Sequence, residues 1–268
     1  MAVTRREYIF SSFLIGVVSV LLIVVAVSSD SWIVSSASAQ GQIRDNYINY
    51  GLFRGELEIN ILSTPVINTL YMTCVVDENA CAVSCKTTPE ARENEVRALA
   101  QGYRPVLGCN SDSTILPGDL LDPPPVISFA FYASTLAVIF LHLAFAVISS
   151  GLAIVNATRN PTEPIWGLPG CLWSNAITAV LGFTVLLMFG VYWATSGLKD
   201  HLAFSDTAQI SYTLSQGLGY SYWLLIAAVI FSLCNVGLIE LRKYLLERDP
   251  PPPTIKVENH SDGTIFLY

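Results

Sequence analysis

The sequence predicts an all-α membrane bundle of four transmembrane helices, with a small extracellular β-layer and one short helix in its first loop. Three observations predict it. The 268-residue chain is 52% hydrophobic and 13% charged, with a mean hydropathy of +0.51; an average soluble domain carries roughly 25% charged residues. That deficit is concentrated in four long stretches without the period-3.6 polar face of a soluble amphipathic helix. Basic residues gather beside one alternating set of ends of these stretches, which assigns an orientation.

The four spans are read as residues 9–31, 126–155, 165–196 and 218–246. Each meets or exceeds the roughly 20 residues that cross a hydrocarbon core. Without water there, each must be a helix that satisfies its own backbone. The first span follows Arg5 and Arg6, and Ala37-Ser38-Ala39 resembles a signal-peptidase site. The apolar run is longer than a signal h-region and the candidate site lies too far beyond it, so the span reads as a retained signal-anchor.

Arg5 and Arg6 precede the first span, Arg159 lies between the second and third, and Arg242, Lys243 and Arg248 end the fourth. Placing these ends inside makes residues 1–8, the turn 156–164 and the tail 247–268 cytosolic. Loop 1, residues 32–125, and loop 2, residues 197–217, then lie outside. Asn156 and Asn259 begin N-x-S/T acceptors but fall on the cytosolic side, so they are expected to be unmodified. A multi-pass protein of the plasma membrane, with a vesicular pool, fits this layout.

Loop 1 is the only segment long enough for a folded extramembrane module. It opens with Trp32, an expected interfacial anchor. Residues 46–60 and 66–76 are rich in β-branched and aromatic residues and read as strands. Thr88 as N-cap, Pro89 at the first helical position and Gly102 beyond the end predict a helix from Pro89 to Gln101. Cys74, Cys81, Cys85 and Cys109 lie in the oxidising compartment and are disulfide candidates, with three pairings open. A zinc site built on Cys81 and Cys85 is the weaker alternative.

Chemistry-bearing residues are sparse. His142 lies within the second span, either satisfied by a neighbouring helix or functional. Asn175 and Asn235 suit interhelical hydrogen bonds, and Gly182 and Gly190 suit close helix approach. Cys171 is either a packing residue or an acylation site. With no nucleophile–base pair, phosphate loop or basic nucleic-acid patch visible, the reading is a non-enzyme without catalytic residues, cofactor, metal or nucleic-acid partner. The tail begins with four prolines and ends Phe266-Leu267-Tyr268, which either joins a PDZ-type sheet edge or stays a plain end.

Trp32 followed by Gly51-Leu52-Phe53 resembles the claudin-like four-transmembrane superfamily, whose members carry a tryptophan and then a glycine-leucine-tryptophan element on an extracellular sheet. The two cysteines that follow that element in claudins are absent here, which counts against a barrier role. The nearer resemblance is to the clarin family. It rests on Trp32-Ile33, on Tyr50-Gly51-Leu52-Phe53-Arg54-Gly55-Glu56, on Pro164-Ile165-Trp166-Gly167-Leu168-Pro169-Gly170, and on Tyr220-Ser221-Tyr222-Trp223-Leu224. It spans all four helices but not residues 62–122. In the strand reading of the loop-1 motif, Tyr50, Leu52 and Phe53 seat the β-layer against the bundle. Exchange of Phe53 for Ser is then expected to cause misfolding.

The clarin resemblance implies a non-enzymatic membrane protein that organises membrane and actin-linked complexes and trafficking in sensory cells. The lipid bilayer and a PDZ-type adaptor are the implied contacts, with channel or adhesion partners as further possibilities. An auxiliary channel or receptor subunit and a junctional adhesion protein are the alternatives.

Overall fold

A computed structural model describes residues 5–39, 45–61, 64–104, 106, 108–110, 115, 118, 120–159, 163–196 and 212–248. Among the described residues four helices are long and apolar enough to span a bilayer: α1 (Arg5–Ser28), α3 (Phe129–Thr158), α4 (Leu168–Thr195) and α5 (Tyr220–Arg248). They pack as a ring in which α1 and α4 each lie against both α3 and α5.

The ring packs through small and weakly polar residues. Along α1 the buried positions are Ile9, Ser12, Gly16, Ser19, Ile23 and Ala26, three or four residues apart. Thr135, His142, Ala146, Ser149 and Ala153 continue the pattern on α3, and Ser221, Ala228, Ser232 and Asn235 on α5. This spacing is the seam of left-handed helix packing. Leu14, Val18, Leu21 and Val25 are exposed on the other side of α1, as suits an apolar solvent. Small residues at the seam let backbones approach, because lipid provides no hydrophobic drive between helices. At Gly182 a Cβ would lie 2.5 Å from Val229 and 2.8 Å from the His142 ring, so α3, α4 and α5 meet there. The Asn235 amide donates to the Asn175 side-chain oxygen at 3.3 Å, an interhelical bond of the kind expected.

His142 departs from the expected satisfied histidine. It is fully buried, and neither ring nitrogen has a hydrogen-bond partner among the described residues. Cys171 is also fully buried, so its thiol is not presented for acylation. Asn156 directs its amide to the Leu152 and Trp166 carbonyls, both at 2.8 Å, and thereby holds the start of the α3–α4 connection.

Among the described residues an antiparallel sheet of seven strands stands at one end of the bundle. It comprises β1 (Ile33–Ala39), β2 (Asn46–Tyr50), β3 (Arg54–Ile61), β4 (Thr64–Val75), β5 (Ala80–Ser84), β6 (Ile127–Ser128) and β7 (Tyr212–Leu218), in the order β6-β5-β4-β3-β2-β1-β7. The layer is therefore larger than the small one expected. The run 46–60 is two strands, β2 and β3, folded back at residues 51–53. The Ser/Ala stretch that resembled a cleavage site is β1, paired with β2 on one side and β7 on the other. Loop 2 thus gives a strand to the sheet.

The short helix α2 (Pro89–Ala100) forms as expected. The Thr88 hydroxyl accepts from the Ala91 amide at 3.3 Å, and Gly102 adopts φ +83° after the last turn. α2 packs on β4 and β5 through Val96 and Leu99 against Val75, Ala80 and Ala82. The disulfides are Cys74–Cys81 and Cys85–Cys109. The first joins register partners on β4 and β5; the second ties the end of β5 to the segment beyond α2. All four loop cysteines are consumed, so the zinc alternative on Cys81 and Cys85 fails.

Candidate functional site: the junction of sheet and bundle

Trp32 is the node where the bundle becomes the sheet. α1 ends at Ser28, and the chain turns back so that the Trp32 indole Nε1–H donates to the Ala26 carbonyl at 2.7 Å. The Trp32 amide donates to the Tyr50 carbonyl at 2.8 Å, and the Gly219 amide donates to the Trp32 carbonyl at 2.9 Å. Its ring meets Phe189 of α4 edge-on at 5.0 Å. At 1% exposure, Trp32 is a core residue rather than the interfacial anchor expected. An indole needs a partner for its N–H when buried, and the end of α1 supplies one.

The turn Gly51-Leu52-Phe53 lies against the same node. A Cβ on Gly51 would lie 2.5 Å from the Ser29 carbonyl oxygen and 2.8 Å from the Asp30 Cα, so only glycine lets the turn sit on the end of α1. Leu52 is buried with Trp32, Ile23, Ile139 and Phe189. Its carbonyl accepts from the Tyr132 hydroxyl of α3 at 2.8 Å. Tyr50 is half-buried and packs on both the bundle core and the sheet core. Gly55 sits under the Asn49 carbonyl, where a side chain would collide.

Phe53 and Glu56 do not join this cluster. Phe53 is 43% exposed, which corrects the expectation that it seats the layer. Glu56 is exposed on β3, between Asn49 and Thr69. The structure thus brings together Trp32, Tyr50, Gly51, Leu52 and Gly55. Phe266, Leu267 and Tyr268 lie outside the described residues, as does Asn259.

Between the inner face of the sheet and the near ends of α3 and α4 lies a cavity of about 170 Å³. Its bundle wall comprises Phe131, Tyr132 and Thr135 from the first turns of α3 and Phe189, Tyr192 and Trp193 from the last turns of α4. Ile48, Leu57, Leu70, Met72 and Val83 line the sheet side. The far corner is polar. There β5 runs past the two-residue pairing with β6, and the lining passes to Ser84, Glu95 and Gly108.

That corner is a small network. The Ser84 hydroxyl donates to the Glu95 carboxylate and accepts from the Lys86 amide at 3.1 Å. The Lys86 ammonium, 1% exposed, donates to the Gly108 carbonyl at 2.8 Å. Burial pushes the Glu95 carboxyl above its usual range, against the Ser84 hydrogen bond and the Lys86 charge. On the surface of the same module, the Arg97 hydrogen bond holds Asp77 below its usual range. Among the described residues no group of three His, Cys, Asp or Glu side chains is placed to hold a metal.

Sequence reasoning did not single out Tyr132, Phe189, Ser84, Lys86 or Glu95. Their roles arise from contacts between segments far apart in the chain. A buried lysine and glutamate nine residues apart carry no local signature.

No family model matches the chain. Among curated proteins it is similar to Clarin-3 of Homo sapiens, with 21% identity over 243 residues, covering 89% of this chain and 88% of that protein. Together with the four apolar helices, this similarity makes the chain a clarin-like, four-span, multi-pass integral membrane protein.

Proposed function

We propose that the protein is a non-enzymatic clarin-like organiser of membrane and actin-linked complexes in sensory cells. Its sheet is an ectodomain, both termini are cytosolic, and its tail recruits a PDZ-type adaptor. It acts at the plasma membrane, with a trafficking pool in vesicles. The orientation is supported by Arg159, Arg242, Lys243 and Arg248 at the end of the bundle opposite the sheet.

The observation that carries the reading is the junction itself. The Gly51-Leu52-Phe53 turn and Trp32 contact α1, α3, α4 and the entry to α5. An ectodomain tied to every helix transmits the position of an external partner to the cytosolic ends. The similarity to Clarin-3 along nearly the whole chain supports the same reading.

The test is proximity labelling from the full-length protein in hair cells or photoreceptors, beside a chain lacking Phe266–Tyr268. Recovery of a PDZ-type adaptor and actin-linked proteins, lost on truncation, is the expected result. A pore-forming channel subunit as the dominant neighbour, unchanged by truncation, would move the assignment to an auxiliary subunit.

A further inference from the structure

We infer that the cavity between sheet and bundle binds a membrane lipid with an apolar body and one small, uncharged, hydroxyl-bearing head.

Three features of the cavity select that chemistry. The body of the cavity is apolar and aromatic, from Leu57 and Leu70 to Phe131 and Trp193. An apolar space of this size is poorly suited to water, which needs two to four polar partners, and well suited to an apolar guest. Depth is the second feature. Thr135 and Phe189, both buried, belong to the four long apolar helices, so the cavity extends from the sheet into the end of the bundle.

The third feature is the polar corner. Ser84 and Glu95 offer a hydroxyl and a carboxyl oxygen where β5 meets α2. Glu95 and Lys86 attract one another at this corner, so a charged head of either sign would find its counter-charge already engaged. A single hydroxyl can donate to a Glu95 carboxyl oxygen while the Ser84 hydroxyl keeps donating to Glu95. Sterols and monoacylglycerols share this pattern, and the two are separated by experiment.

The full-length protein would be placed in phosphatidylcholine nanodiscs with a photoreactive, clickable sterol in one arm and a photoreactive monoacylglycerol in the other. Adducts would be mapped by peptide mass spectrometry. The expected result is saturable labelling of peptides carrying Leu70–Val83 or Phe131–Thr135 in one arm, which names the lipid. Excess unlabelled lipid and the cavity-filling variant Val83→Trp each reduce it by about tenfold, the equivalent of a lost contact surface worth one decade in affinity. A phosphatidic acid probe labels only weakly. Should Val83→Trp fail to keep both disulfides, Met72→Phe and competition in the unaltered protein decide. Labelling confined to outward positions such as Val180 and Phe183, or labelling that does not saturate in either arm, overturns the inference.

Discussion

The Tyr132 hydroxyl donates to the Leu52 carbonyl at 2.8 Å, so the first turn of α3 holds the β2–β3 turn from below. Leu52 is 4% exposed and its neighbour Phe53 43%. The two residues of one motif therefore have different weight. Leu52→Ala is expected to cost about 2–5 kcal/mol, the range for buried leucines, while Phe53→Ser stays within about 0.5 kcal/mol, as exposed positions do. Thermal unfolding of the purified protein in one detergent orders them, and the reverse order would remove Leu52 from the junction.

Gly51 is tested by contrast with glycines that meet nothing. A Cβ at Gly151 or Gly237 has no heavy atom within 4 Å, whereas at Gly51 it meets backbone at 2.5 Å. Gly51→Ala is expected to reduce surface delivery severely. Gly151→Ala and Gly237→Ala are expected to be neutral or slightly stabilising, because alanine favours the helix by about 1 kcal/mol over glycine. Flow cytometry of an epitope-tagged chain reads all three, and equal delivery of all three variants would count against the close approach.

The disulfide pairing has a chemical readout. Cys109→Ala leaves Cys85 as its single orphan, since Cys74 and Cys81 bond each other. Maleimide labelling after denaturation should then find Cys85 in addition to the two free span cysteines, Cys171 and Cys234. The lost cross-link closes 24 residues of separation and is expected to cost about 3 kcal/mol on the chain-entropy estimate. New labelling at Cys74 or Cys81 would contradict the pairing.

The pH dependence of the extramembrane module has a signed prediction. Burial holds the Glu95 carboxyl above its usual range, so the folded chain binds that proton more tightly than the unfolded chain. The corresponding stability is full below the unfolded pKa and is lost as pH rises through the raised folded value. Glu95→Gln should flatten this fall above the usual carboxyl range. Asp77 works in the other direction, because the Arg97 hydrogen bond lowers its pKa and its contribution fades as pH falls. It is fully exposed and screened by solvent, so the Glu95 slope dominates. Melting curves from pH 4 to 8 for the parent and Glu95→Gln check the sign; parallel curves would refute it.

Asn175 and Asn235 provide the test inside the bundle. Their interhelical bond at 3.3 Å should give a coupling energy of about 0.6 kcal/mol in a double-mutant cycle of alanine variants, the average for such bonds in a membrane protein. A coupling of zero would show that the two amides act independently.

The helices were legible in the sequence because each satisfies its own backbone within one segment, and apolar length alone reveals that. The α2 cap was legible for the same local reason, with Thr88, Pro89 and Gly102 in order. The sheet was not. β1 reads IVSSASA, small and polar residues of low strand preference, yet it is paired on both sides. Its partner Tyr212–Leu218 is separated from it in sequence by two of the four spans, and nothing local announces that pairing. At the candidate site the glycines and Leu52 could be anticipated from the Tyr-Gly-Leu-Phe run. The exposure of Phe53 followed only from the turn, which reverses the chain where a continuous strand was expected.

The strand order has a consequence for biosynthesis. The ribosome delivers β1 early and β7 only after three spans have been made, and β7 leads directly into the last helix. Until then β1 presents an open edge, the kind of surface that invites wrong pairing. Pairing with β7 covers the β1 edge only when the third span and the segment after it have been made. A chain that stops before β7 therefore leaves the β1 edge unpaired.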